Sequence, residues 1–265
     1  MKKMAMVNII DTHAHLDEID NQDDVISQSV QAGVKAIIAV GQDHTSNLKI
    51  LSLSGKFPSI VYAALGLHPY HIGRMDTAQI TDTIRFIDEN ASDIVAIGEI
   101  GMDYDKRVLK ISSKEMQRDI FVQLLDIAKK REKPVLIHSR YAWKDCFDIV
   151  RAAGIEKAVF HWFTGFSSVL RDIIAAGYCI SATPAAEYHS EHRRAIKETP
   201  LTQLMLETDS PVPYGRENRY ISEPKDTIRS LRAVAAIKNE DESNVAAITL
   251  QTTNRFFGLT TGIAR

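Results

Sequence analysis

The feature that most constrains this chain is a repeated change of period. Short apolar runs rich in Val and Ile alternate with amphipathic stretches from one end of the sequence to the other. The runs occupy residues 7–11, 34–40, 60–67, 94–98, 134–138, 158–161, 177–181 and 204–207. Continuous apolar runs of this length, bounded by turn residues, predict strands buried on both faces. Between them, Val25, Ser29 and Ala32, then Ile80, Ile84 and Ile87, fall on one side of a helix. Met116, Ile120, Leu124 and Ile127 do the same, as do Cys146, Ile149 and Val150. Gly33 and Gly154 stand where a helix must end before the next strand. Pro134 opens a strand, where its missing N–H costs least.

Eight strand-like runs alternating with helical ones predict a parallel β/α architecture. Eight units in 265 residues match a (β/α)8 barrel of the TIM type. An open doubly wound sheet is the alternative, but it calls for a Gly-rich phosphate loop after an early strand. Here the first run leads instead into Asp11-Thr-His-Ala-His15. No linker or abrupt charge shift divides the chain, so residues 1–265 are expected to form one domain. The segment after Pro224 is expected to supply the last barrel helix, followed by a short helix near residues 243–251 and 254–258.

The balance of 32 Lys+Arg against 34 Asp+Glu gives a formal charge of −2, which argues against adhesion through a global basic field. Cys146 and Cys179 form no CxxC and are expected to be buried, reduced thiols. No apolar run approaches the ~18 residues of a membrane span. The apolar stretch near the N-terminus stops at Asp11, too short for a secretory signal. A cytoplasmic protein with no membrane attachment and no obligate protein partner is expected.

In a parallel barrel the C-terminal ends of all strands open onto one face, where active sites form. Asp11, His13 and His15 follow the first run, His68 the third, Glu99 the fourth, His138 the fifth, His161 the sixth and Asp209 the eighth. The i, i+2 spacing of His13 and His15 puts both rings on one face of a strand. Nitrogen and oxygen ligands without sulfur suit Zn2+ or Mn2+, with Mg2+ at the carboxylate-rich side. His13, His15, Glu99, His138, His161 and Asp209 are more ligands than one tetrahedral ion takes. Two divalent metals sharing a bridging carboxylate are therefore expected, an arrangement suited to phosphate ester hydrolysis. Singly, each residue has a plainer reading: a hydrogen-bonded structural histidine, a paired loop carboxylate, or for Asp209 a helix N-cap or turn former. Their coincidence at the same end of different strands separates the two readings. Asp11 is expected to support the site rather than bind metal. Asp103 and Asp105 read as loop residues, and His44, His71, His189 and His192 as surface or rim residues.

On these residues the sequence resembles the TatD family of metal-dependent hydrolases, deoxyribonucleases within the amidohydrolase superfamily. The matching motifs are Asp11-Thr-His-Ala-His15, Gly66-Leu-His-Pro69, Gly98-Glu-Ile-Gly-Met-Asp-Tyr104, Pro134-Val-Leu-Ile-His-Ser-Arg140, His161-Trp-Phe-Thr-Gly165 and Leu206-Glu-Thr-Asp-Ser-Pro211. The resemblance implies a (β/α)8 barrel in which His13, His15 and Asp209 hold one metal and His138 and His161 the other, with Glu99 bridging. Many amidohydrolases bridge with a carboxylated lysine, but the fourth strand end here offers Glu99 and no lysine. His68 and Arg140 look like substrate-side groups. Two positions depart from the family pattern. Ser222 precedes Glu223-Pro224 where an Asn-Glu-Pro element is usual, with Asn218 displaced upstream, and Trp162 stands where Cys is frequent.

The implied activity is hydrolysis of nucleic-acid phosphodiesters, DNA before RNA and in one form as a 3′–5′ exonuclease. Asp209 and Glu99 would be the catalytic carboxylates, with Asp209 accepting a proton from the attacking water. His68, Arg140 and two further arginines, Arg216 and Arg219, are candidates for the phosphate, and Tyr70, Trp143, Phe163 and Tyr214 for base stacking. The alternatives are an amide or lactone hydrolase on the same scaffold and a non-catalytic metal-binding protein.

Overall fold

The structure, a computed structural model, describes residues 7–262. Residues 1–6, which begin the stretch considered above as a signal segment, and residues 263–265 lie outside the described residues. Eight strands, β1 (Ile9–Ala14), β2 (Val34–Val40), β3 (Val61–Leu65), β4 (Ala96–Gly101), β5 (Val135–His138), β6 (Ala158–Phe160), β7 (Cys179–Ala182) and β8 (Leu204–Leu206), pair in sequence order. Every adjacent pair is parallel. The ring closes where Ala14 bridges Ser210 in parallel, Asp209 N donates to His13 O at 2.8 Å and His15 N to Ser210 O at 2.8 Å. The expected (β/α)8 barrel is thus present, and its closing seam runs through three of the candidate ligands.

Two apolar layers hold it. Ile10, Ile38, Ala64, Ala96, Leu136, Val159 and Met205, from successive strands, fill the barrel interior. The alternate residues, among them Ile9, Ile37, Leu65, Ile97, Ile137 and Ile180, face the helices. Both sets are buried because parallel strands are covered on both sides. Helix starts are fixed by local chemistry: Asp43 with Ser46, and Asp76 with Gln79, form reciprocal capping boxes that open the helices His44–Lys56 and Thr77–Glu89.

The strand ends differ from the apolar runs in one informative way. β1 continues through His13 to Ala14, and β4 continues through Glu99 to Gly101. Apolarity stops marking a strand where its side chains begin to line the site. At the far end, the short helix expected near the C-terminus is a continuous helix of 16 residues, Glu242–Phe257. The polar residues that interrupt its apolar stripe are buried with their hydroxyls satisfied: Thr249 Oγ1 donates to Val245 O at 2.8 Å and Thr252 Oγ1 to Thr202 O at 3.3 Å. Both cysteines are buried and unpaired, as expected, and burial pushes the Cys179 thiol up to about 12. Among the described residues no helix is long and apolar enough to cross a membrane.

His192, read as a rim residue from the sequence, is fully buried. It lies in the helix Ser190–Glu198, where Nε2 accepts from Thr183 N at 3.1 Å and Nδ1 donates to Phe163 O at 3.0 Å. That tautomer is neutral, and burial pushes the imidazole from 6.5 down to about 4. Between those values the unfolded chain takes up a proton that the native chain refuses, so stability falls as pH drops from 6.5 towards 4. The His192→Gln variant keeps a donor and an acceptor but does not titrate. In urea titrations the wild type should lose about 2.5 kcal/mol more than this variant between pH 7 and pH 4.5. Parallel losses in the two proteins would show that this ring does not control the acid limb.

Candidate active site

The six expected ligands meet at the C-terminal mouth. His13 and His15, two apart on β1, turn Nε2 atoms to within 3.3 Å of each other. Asp209, just past β8, brings Oδ1 to 3.3 Å from His15 Nε2 and 3.6 Å from His13 Nε2. On the other side, His138 Nδ1 lies 3.2 Å from His161 Nε2. Glu99 stands between the two groups. Its Oε1 is 2.7 Å from His138 Nδ1 and 2.8 Å from His161 Nε2, while its Oε2 is 3.6 Å from His13 Nε2 and 3.7 Å from His15 Nε2.

These spacings fit a cation. Nitrogen and oxygen ligands at ~2.0–2.2 Å from one tetrahedral ion stand roughly 3.3–3.6 Å apart. The triad of His13, His15 and Asp209 has those separations, and the triad of Glu99, His138 and His161 is slightly tighter. The electrostatics agree. Burial alone would raise the Glu99 carboxyl, but the surrounding imidazoles of His68, His161 and His138 outweigh it and hold Glu99 well below the usual carboxylate range. Burial opposes charge on His15, yet the hydrogen bond and charge of Asp209, then Glu99, lift it to about 9. His161 is likewise held well above its ordinary value, against burial, by the charge of Glu99 and then by Glu207. Buried carboxylates that make their imidazoles hold protons this strongly form a cavity with a standing demand for positive charge.

Backbone packing sets these positions. A Cβ on Gly66 would lie 2.5 Å from the backbone N and O of Glu99, so only glycine lets β3 approach the residue that divides the site. Asp209 and Trp162 sit in the left-handed region, at φ 53° and 41°. Each is held there by a backbone bond: Asp209 N to His13 O, and Trp162 N to Glu207 Oε1 at 3.0 Å. Strain of this kind persists only where the surroundings over-determine it. Asp11 supports the site as expected, accepting from Thr208 N at 2.9 Å, Thr208 Oγ1 at 2.6 Å and His13 N at 3.2 Å.

His68 faces Glu99 from the cleft, and its ligand-type atom also groups with those of Asp103 and His138. Its Nδ1 accepts from Tyr70 N at 3.0 Å, so the neutral ring carries its proton on Nε2, 3.7 Å from Glu99 Oε1. Burial, only partly offset by Glu99, keeps it well below its usual value and therefore uncharged. Arg140 lines the cleft but is already engaged, with Nη2 2.6 Å from Asp105 Oδ2 and Nε 3.5 Å from Asp103 Oδ1. The cleft, whose 24 lining residues include His15, His68, Glu99, His138, Arg140, His161 and Asp209, has a volume of about 980 Å3, room for more than one nucleotide-sized group. Tyr70 and Trp143 line it, whereas Phe163 and Tyr214 are fully buried and unavailable for stacking. Neither Arg216 nor Arg219 reaches it, and Arg216 donates to Tyr188 O at 2.9 Å.

Two carboxylates at the site escaped sequence reasoning. Asp103, read as a loop residue, is buried with Oδ2 3.1 Å from His138 Nε2, behind the nitrogen that faces Glu99. Glu207 is buried beside His161. Both belong to motifs quoted above, Gly98–Tyr104 and Leu206–Pro211, but no strand-end rule selects them over their neighbours.

A parallel barrel that gathers imidazoles and carboxylates into two cation-sized triads at its catalytic face defines a metal-dependent hydrolase. The family model described as TatD related DNase matches residues 10–258, and the chain belongs to that family. It is 32% identical over 266 residues to the human protein named deoxyribonuclease TATDN3, covering 96% of each chain. It is 29% identical to a Mycobacterium tuberculosis protein named metal-dependent hydrolase TatD, covering 95% of this chain and 98% of that one. Among solved structures, the Escherichia coli TatD homologue YJJV superposes with a TM-score of 0.86 at 26% identity, covering 97% of this chain and 100% of that one.

Proposed function

We propose that this protein is a deoxyribonuclease that hydrolyses phosphodiesters with two divalent cations, one held by His13, His15 and Asp209, the other by His138 and His161, with Glu99 shared. The observation that carries the reading is the orientation of Glu99, each of whose oxygens faces a different pair of imidazoles. Bound there, the cations supply Lewis acidity towards a phosphoryl oxygen and lower the proton affinity of a water.

The chain's own groups supply the rest. Asp209 Oδ accepts the proton of the attacking water; its carboxyl is held below the usual range because His15, His13 and His161 outweigh burial, so it is ionised and available at neutral pH. His68, neutral and with its donor fixed on Nε2, offers that proton to a phosphoryl oxygen without contributing charge. Asp103 accepts from His138 Nε2 and keeps Nδ1 turned to the second cation position. Tyr70 and Trp143, both lining the cleft, are the aromatic side chains offered to unpaired bases. Arg140, tied to Asp105, orients the wall and meets phosphate only with its remaining guanidinium edge.

The test is digestion of end-labelled single- and double-stranded DNA and RNA by chelator-treated protein before and after Mn2+, Mg2+ or Zn2+ is restored. No cleavage after chelation and recovery with metal, on DNA first, is the expected result. Turnover of cyclic amides or lactones by the restored protein, with every oligonucleotide intact, would overturn the substrate assignment.

A further inference from the structure

Behind the metal-facing side of the site, away from the cleft, three polar atoms converge. His13 Nδ1, His161 Nδ1 and Glu207 Oε2 are all buried without a hydrogen-bond partner, and these three side chains bring their ligand-type atoms within 4.8 Å of one another. The two rings are stacked, 4.3 Å between centroids and 15° between planes. They come from opposite halves of the site: His13 Nε2 faces Glu99 Oε2, and His161 Nε2 faces Glu99 Oε1.

We propose that Glu207 is a positioning residue that holds one histidine of each cation site from behind, coupling the two sites through a single carboxylate. A neutral imidazole that gives its Nε2 lone pair to a cation carries its proton on Nδ1. A buried N–H needs an acceptor, and leaving it without one costs about 1–3 kcal/mol. Glu207 is placed to meet both protons. Its backbone N is fixed to Ala182 O at 3.0 Å, its Oε1 is pinned by Trp162 N at 3.0 Å, and that oxygen lies 3.7 Å from His161 Nδ1, a span that one water bridges. Oε2 is buried without a partner, and the ligand-type atoms of His13 and Glu207 lie within 4.8 Å, again a span that one water bridges.

A third cation among these atoms is the rival occupant, and the chemistry rejects it. It would need the Nδ1 lone pairs of rings whose Nε2 lone pairs are already committed, which requires two imidazolates in one buried site. A proton on each Nδ1 needs neither. The carboxylate between them then raises the ligand strength of both rings together. The unusual conformation of Trp162 follows from the same arrangement, since its N–H is the bond that fixes Oε1.

The inference rests on the cation-binding part of the proposed function and not on the substrate, so its test reads metal rather than turnover. Zn2+ affinity is measured by chelator competition for the wild type and for Glu207→Gln, whose amide can accept at one oxygen only. Both stepwise dissociation constants should rise about 10–100-fold, with activity recovered by excess Mn2+. Two constants within twofold of wild type, or a loss confined to one site, would overturn the inference. Should the variant fail to fold, nitrogen-15 spectra of the zinc-loaded wild type decide. His13 and His161 should both show a slowly exchanging Nδ1–H and a metal-shifted Nε2, and an unprotonated Nδ1 on either ring overturns the assignment. A wild type that binds no zinc ends the proposed function itself, whereas zinc binding with an indifferent Glu207→Gln ends only this inference.

Discussion

Asp209→Asn should retain both cations at saturating metal while kcat on DNA falls about 10^2–10^4-fold, the range that a positioned acid–base group contributes. The amide has the shape of the carboxyl and keeps one oxygen towards His15 Nε2, now 3.3 Å away, so the first cation loses charge but not its coordination geometry. What disappears is basicity. Asp209 is the carboxylate whose backbone is locked into the barrel's closing seam by its bond to His13 O, with φ at 53°. The side chain therefore does not wander, and a small change of chemistry at a fixed position is cleanly read. A fall of that size corresponds to roughly 3–5 kcal/mol of lost transition-state stabilisation. KM should change little, because the group acts on the attacking water and not on the bound strand. Rates near wild type would remove Asp209 from proton transfer. A low rate that recovers fully with added metal would make it a ligand only.

The barrel was legible because its physics is periodic. Parallel strands buried on both faces are apolar until their side chains reach the site, and each of the eight runs marks one. The ligands were legible for a related reason, since a single face collects every strand's C-terminal end, and a His or Glu that follows an apolar run has few other places to go. What stayed hidden was non-periodic. Asp103 and Glu207 do their work by reaching behind histidines on other strands, a relation of β4 to β5 and of β8 to β6 that no local pattern encodes. His192 was misplaced because its polarity says surface, whereas two backbone groups, Thr183 N and Phe163 O, satisfy both of its nitrogens in the interior. Phe163 and Tyr214 pack inside, the plainer of the two readings open to each ring, because proximity to a strand end does not say whether a ring points into the cleft or into the core. The fold is a sum of local choices, but the support of the site is not.

Glu99→Ala should have the larger effect on metal content. In the native protein its two oxygens lie 2.7–3.7 Å from imidazole nitrogens of His13, His15, His138 and His161, so this member of the second triad also faces the first. Removing it leaves the second triad with two neutral nitrogens and no anionic ligand of its own, while the first keeps Asp209. Elemental analysis should therefore fall from two metals per chain to one or fewer, and turnover by at least about 10^4-fold, since both the charge and the geometry of the pair are lost. Glu99→Gln separates those contributions: one oxygen can still bridge weakly, so partial occupancy at high metal is expected with low activity. The apo protein gives an independent reading, because Glu99 is also the counter-charge for the protonated imidazoles around it. Without it, those rings lose the partner that holds their protons, and metal-free Glu99→Ala should hold fewer protons at pH 7 than metal-free wild type, measurable by direct titration. Unchanged stoichiometry and an unchanged titration curve would together show that the two triads do not share this carboxylate and that the paired-cation reading of the site is wrong.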